Sequence, residues 1–356
     1  MRVGGVTLAR LLSRALLATL ILTVLVSCET ISYYGQAAQG QLSLLLGRKE
    51  IQSLLGDESL AQETRSKLAL FLEAREFAEE QLLLDPGSSY LSYVELNRPF
   101  VVWNVFAAPE FSTQPQTWCY PIAGCVSYRG YFSERSAREF ADSLERERLD
   151  VYSGGVDAYS TLGWFDDPLT SAVLHRSDHA LLSLLFHELA HRLVYLPGDT
   201  TFNESFATFV EKEGLRRWLQ LHPQPGLMAQ LEREALIDIA FVALVSRYRE
   251  KLNALYAGSL DEEAMRAEKA LVQEALRVEY RSFREEWDYR GYDRWFAGPL
   301  NNAQLGTVAS YNDLVPSFAG LLRESEGDLA RFYAKVTELS KLSSEQRSIL
   351  LSEAGL

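Results

Sequence analysis

Cysteine and histidine are scarce in this chain of 356 residues, with three and five copies. So few cysteines exclude a disulfide-rich scaffold, and the lack of a second closely spaced cysteine pair argues against a cysteine-ligated zinc site. Positive charge is also in deficit: 35 Lys and Arg against 48 Asp and Glu leave a net charge of -13, which argues against nucleic acid as a partner. Beyond the first 27 residues no apolar run reaches membrane length. The stretch Ala235 to Val245 is interrupted by Asp238 and flanked by Glu232, Glu234 and Arg247, so it reads as a helix packed in a core. Low-complexity tracts and internal repeats are missing too. What remains, 47% hydrophobic and 23% charged, fits a folded globular chain with room for one large domain or two.

Residues 1–27 stand apart. Arg2, Arg10 and Arg14 precede an apolar run, Ala15 to Val26, that is too short for a comfortable membrane span and reads as an export signal. Its end, Leu25-Val26-Ser27-Cys28, resembles the bacterial lipobox. That resemblance implies cleavage before Cys28, lipid on its sulfur, and a mature chain that loses three arginines and carries a net charge of -16. An uncleaved signal anchor, or cleavage without lipidation, is the alternative. Glu29-Thr30 lacks the usual Asp retention signal, so an outer-membrane lipoprotein facing the periplasm is the expected location. Export also puts Cys119 and Cys125 in an oxidising compartment, where a disulfide across the turn in WCYPIAGC is expected.

Helical spacing marks residues 31–56 and 60–83, and the β-branched and aromatic residues of 100–108, WCYPI and VSYRGYF predict a small antiparallel sheet. A helix is expected over 133–149 and an edge strand within 152–169, followed by helices over 178–195 and 201–219 around Pro197-Gly198. From about 226 onward the chain is mostly helical. The expected fold is predominantly helical α+β. Its divisions are a signal at 1–27, an N-terminal helical region at 28–99, a region with the sheet and the HELAH helix at 100–215, and a helical region at 216–356, within one globular unit from about residue 31.

Two of the five histidines fall in FHELAHRLVYLPGDTTFNESFATFVE. His187 and His191 are four apart, so on a helix both imidazoles face one ion. Glu188 points about 100° away, which places its carboxylate beside the ion as a base for water. Two imidazoles, a third ligand and an open position are the donor set of a catalytic zinc. The apolar lead-in LLSLLF would bury this helix, and buried histidines and glutamates need partners, which a metal satisfies together. The bland alternative is a pair of core histidines hydrogen-bonded to backbone or carboxylates.

The third ligand must come from beyond Pro197-Gly198. At 1.5 Å per residue His191 and His187 lie ~7.5 and ~13.5 Å back from the end of the first helix, and Glu204 and Glu211 lie ~4.5 and ~15 Å into the second. Both glutamates reach an ion on this bookkeeping, so it leaves the choice open.

HELAH followed by NESFA (Asn203 to Ala207) resembles the HExxH plus NExxA arrangement of gluzincin metallopeptidases. That resemblance implies Glu204 as third ligand, which leaves Glu211 as a partner for an imidazole or, as the alternative, the ligand itself; Asn203 and Asp199 are expected beside the ligands. The linker here is shorter than in most gluzincins. Together with WCYPIAGCVSYRGYF, AYSTLGWFDDPL and LNNAQLGTVASYNDLVPSF, the segment resembles a bacterial family of aminopeptidases predicted to be zinc-dependent, over roughly residues 31–350. The resemblance implies a zincin-like fold, one Zn2+, a peptide substrate lying along the edge strand, and a Tyr or His stabilising the oxyanion. Tyr311 is the first candidate for that role and Tyr159 the second.

An aminopeptidase would hold the substrate's ammonium with a carboxylate such as Asp157, Asp166 or Asp167. His175 and His179 read as surface or supporting histidines rather than a second metal site. Asp199 serves as a helix cap or orients His191. An endopeptidase or another zinc amidohydrolase is the alternative activity, and a non-catalytic zinc-binding envelope lipoprotein is the alternative from another class.

Overall fold

The computed structural model describes residues 31–120, 124–158, 160–161 and 165–355. Cys28, the export signal and Tyr159 lie outside the described residues. Helix α1 covers residues 31–46 and is followed by β1 (Lys49–Glu50), α2 (Ile51–Leu55) and α3 (Gln62–Gln81). The sheet-bearing part comprises β2 (Ser92–Val94), β3 (Val102–Pro109), β4 (Trp118–Tyr120), β5 (Gly124–Val126), β6 (Tyr128–Tyr131), α4 (Glu134–Arg146), β7 (Leu149–Val156) and β8 (Leu169–Thr170). Next come α5 (Asp178–Leu193) and α6 (Thr200–Leu221). The rest is helical: α7 (Leu227–Tyr256), α8 (Glu262–Trp287), α9 (Asp293–Phe296), α10 (Asn302–Asn312), α11 (Val315–Glu324), α12 (Leu329–Ser340) and α13 (Ser344–Ala354). The protein is a predominantly helical α+β fold.

Three details depart from the sequence reading. The helix expected over 31–56 breaks after residue 46, where Lys49 and Glu50 pair with Tyr93 and Ser92 of β2. The strands form separate small sheets rather than one antiparallel sheet, in the orders β1-β2-β8, β6-β3-β7 and β4-β5, and β2 with β8 is a parallel pair. The strand expected within 152–169 is β7, which ends at Val156. Past that point the Asp157 carboxylate pairs with the Arg176 side chain, and the Asp167 carboxylate holds backbone by accepting from the Thr161 amide, and also accepts from its hydroxyl, both at 2.8 Å. Such side-chain to backbone bonds compete with a strand ladder.

The main core explains why α5 sits where it does. Leu181, Leu182, Leu185, Phe186, Leu189 and Ala190 are all buried, and the helix lies between α3 and α6. Ser177 caps it by accepting from the Ala180 amide, and Asp178 in the first turn suits the positive end of the helix. Gly214 of α6 permits close contact with α5, since a Cβ there would lie 2.7 Å from the Phe186 ring. A second core, with Ile237, Phe241, Leu276, Tyr280 and Phe283, joins α7 to α8. It is tied to the sheet through buried Lys269, whose ammonium lies 2.6 Å from Asp150 of β7, and the same carboxylate accepts from the Asn302 amide at the start of α10. That contact orients the helix carrying Tyr311.

Cys119 and Cys125 are opposed in the β4-β5 hairpin and are joined by a disulfide. At its turn Gly124 has φ +73°, and an added Cβ would sit 2.6 Å from the Gly198 backbone nitrogen. The hairpin thus braces the turn between α5 and α6. Gly124→Ala is expected to cost about 1–3 kcal/mol, from the left-handed backbone and the overpacking together. Urea unfolding against wild type measures it, and an unchanged midpoint would mean that the hairpin does not press on this turn.

Candidate active site and metal centre

The α5–α6 hairpin carries the site. His187 and His191 are one turn apart on α5 and both are buried. After Val194 the chain leaves the helix and turns through Gly198 at φ +89°. Asn203 pins this turn: its Oδ1 accepts from the Leu196 amide at 2.7 Å and its Nδ2 donates to the Leu196 carbonyl at 2.8 Å. Asp199 caps α6 by accepting from the Phe202 amide and pairs with Arg347 at 2.6 Å. These contacts fix where α6 starts, and so bring the Glu204 carboxylate opposite both imidazoles.

The two Nε2 atoms approach to 3.2 Å, and Glu204 Oε2 lies 3.4 Å from that of His187 and 3.7 Å from that of His191. Glu211 takes the other side of the His187 ring, with Oε2 2.8 Å from Nδ1. An Nδ1 proton donated to Glu211 leaves the Nε2 lone pair turned toward Glu204, the arrangement that orients a ligating histidine. The His191 Nδ1 is buried and has no hydrogen-bond partner among the described residues.

Burial opposes a charge on His187, yet hydrogen bonds to Glu204 and Glu211 outweigh it and raise its pKa well above the usual imidazole range. Burial likewise opposes ionisation of Glu204, and the two imidazoles overcome it and hold the carboxyl well below the usual carboxylate range. Two buried imidazoles and a buried carboxylate turned on one another thus favour positive charge between them. Two imidazole nitrogens and one carboxylate oxygen, all within 4.8 Å of one another, fit a single zinc ion.

Glu188 is outside this trio and lines the adjoining cleft. Burial raises its pKa, while His187 and His191 pull it back. Tyr311 of α10 stacks on His187 with ring centres 6.3 Å apart, and the negative charge of Glu204, followed by burial, keeps its hydroxyl firmly protonated. Ser205 ties α6 to this helix by donating to the Ser310 carbonyl.

Two cavities meet at these side chains. One, of about 520 Å³, has an aromatic wall that includes Tyr33, Tyr128, Phe132 and Tyr195. The other, of about 660 Å³, is lined by charged groups including Asp157, Arg176, Glu211 and Lys212. Both reach His187, Glu188, Tyr311, and Val156 and Ala158 at the end of edge strand β7.

Other candidate residues take different places. Asp157 is held by a two-pronged ion pair to Arg176, with both contacts at 2.8 Å, and Asp167 is held by Thr161. Asp166 is exposed. His175 is exposed near Asp157, and His179 touches Ser177. Five tyrosines of the cleft, Tyr33, Tyr34, Tyr120, Tyr128 and Tyr195, escaped the sequence reading. Tyr195 packs edge-on against His191, and its four-residue offset from that histidine is a signal that could have found it. Tyr33 and Tyr128 enter only through tertiary packing, which no local pattern encodes.

No curated protein and no solved structure matches the chain. A family described as "Putative aminopeptidase" matches residues 32–351, nearly the whole of the described fold. The chain therefore belongs to this putative aminopeptidase family.

Proposed function

We propose that the protein is a zinc-dependent peptidase of the bacterial cell envelope, anchored by lipid on Cys28 and facing the periplasm from the outer membrane. The observation that carries the reading is the convergence of His187, His191 and Glu204 where the two cavities join. Zinc held by these three groups would supply a Lewis acid that polarises a peptide carbonyl and acidifies water. Glu188 accepts the proton of the attacking water and returns it to the leaving amine. Tyr311 donates a hydrogen bond to the carbonyl oxygen as it gains charge. Glu211 fixes the ring of His187, and the end of β7 offers backbone for an extended peptide to pair with.

The family name favours a free amino terminus on the substrate. The cleft favours a second reading, an endopeptidase, because space continues on both sides of the site and two of the three expected ammonium anchors are already paired. A panel of peptides with free and N-acetylated termini separates the two, with zinc content measured on the same preparation. One zinc per chain and activity lost on acetylation is the expected result for an aminopeptidase. Activity retained on acetylated peptides assigns an endopeptidase, and a zinc-replete preparation without bound metal sinks both.

A further inference from the structure

Helix α1 is unlike the rest of the molecule. Its residues 31–46, ISYYGQAAQGQLSLLL, contain no charged side chain, in a protein where 23% of residues are charged. One face is fixed to the body. Leu44 is buried beside Val94, Val102 and Phe132, and Gln36 Oε1 accepts from the Phe132 amide at 2.9 Å. A Cβ on Gly40 would meet the Phe132 ring at 2.1 Å, so the helix lies close against it. The same side of the helix sends Tyr33, Ala37 and Gln41 into the wall of the aromatic cavity.

The opposite face is apolar and uncovered. Ile31, Gly35, Ala38, Leu42 and Leu46 recur at three- and four-residue steps and form one stripe along the helix. Ile31, Leu42 and Leu46 are 69%, 54% and 78% exposed. An apolar stripe of this kind on a rigid element calls for a partner. Its position indicates which one, since the helix is described from three residues after Cys28, the proposed site of lipid. No helix among the described residues is long and apolar enough to cross a membrane, so α1 suits lying on a bilayer rather than spanning it.

We propose that the outer stripe of α1 seats on the phospholipid surface, as a second attachment beside the lipid on Cys28. Because the inner face of the same helix walls the aromatic cavity, that cavity is held within about one helix diameter of the lipid. The proposal rests on the envelope location given above, but its test uses no peptidase activity.

The test uses the full-length chain, processed in a bacterial host and reconstituted in vesicles of phosphatidylethanolamine and phosphatidylglycerol. Nitroxide labels are placed at Leu42→Cys, Leu46→Cys and, as a control on α8, Glu263→Cys. Collision with oxygen and with a water-soluble nickel chelate then reports immersion. The oxygen-to-nickel ratio is expected to be several-fold higher at 42 and 46 than at 263. A label at Ala38→Cys should lose that advantage when Leu42→Glu and Leu46→Glu are added, with circular dichroism unchanged. Equal ratios at all three positions would overturn the proposal. So would protection accompanied by label–label broadening at 42, which would assign the stripe to a second copy. Labelling of the unsubstituted protein would show a free Cys28 thiol, and thus failure of the lipid reading separately from that of the stripe.

Discussion

Glu188→Gln is expected to lower kcat on any peptide substrate by roughly 100- to 10,000-fold, the range of a positioned general base, while zinc content stays at that of wild type. The substitution conserves volume and leaves the trio of His187, His191 and Glu204 intact, so binding and chemistry separate in one variant. Burial and the opposing pull of the two imidazoles set the environment of this carboxyl, and the neutral amide removes a proton acceptor without leaving a void. Single-turnover rates on a fluorogenic peptide, beside elemental analysis of the same sample, make the measurement. Wild-type turnover in the variant would remove Glu188 from the chemistry. Loss of both zinc and turnover would mean instead that its charge is part of the metal site, and the carboxylate would need reassignment as a ligand or a support for one.

The parts of this site that could be read in the sequence are those fixed by helical periodicity. His187 and His191 share a face because they are four apart, and Glu188 is turned aside for the same reason. Rise along the axis brought both Glu204 and Glu211 within reach but could not choose between them. Seven residues apart, they face nearly the same way, and the His187 ring lies between them with Nε2 toward Glu204 and Nδ1 toward Glu211. That distinction lives in side-chain torsions, which spacing does not encode. Resemblance, not periodicity, pointed to Tyr311, whose place on His187 depends on α10 returning to α6 after more than one hundred residues. The end of β7 was missed because the Asp157 carboxylate pairs with the Arg176 side chain and the Asp167 carboxylate takes the Thr161 amide, and neither contact is encoded in strand propensity. The break after α1 was missed because the pairing of Lys49 and Glu50 with β2 is a tertiary event within an otherwise helical pattern.

Glu204→Ala and Glu211→Ala are expected to part company in their zinc binding. Loss of Glu204 removes the one carboxylate oxygen that faces both Nε2 atoms, so the purified variant should hold far less than one zinc per chain. Loss of Glu211 leaves all three donors but frees the His187 ring from its 2.8 Å contact at Nδ1. A support of that kind is worth about 10- to 100-fold in metal affinity, so this variant should hold zinc when the metal is in excess and yield it sooner to a competing chelator. Elemental analysis under excess zinc, followed by chelator titration, resolves the two behaviours, with circular dichroism checking that each variant folds. The reverse order, zinc kept without Glu204 and lost without Glu211, would exchange their roles and require the metal to bind His187 through Nδ1. His191 could not then share it in the present geometry, because its Nε2 is turned to the Nε2 side of the His187 ring, 3.2 Å away. The proximity of those two nitrogens therefore ties the glutamate assignment to the histidine pair: a single ion between the two Nε2 atoms has Glu204 within reach and Glu211 behind the ring.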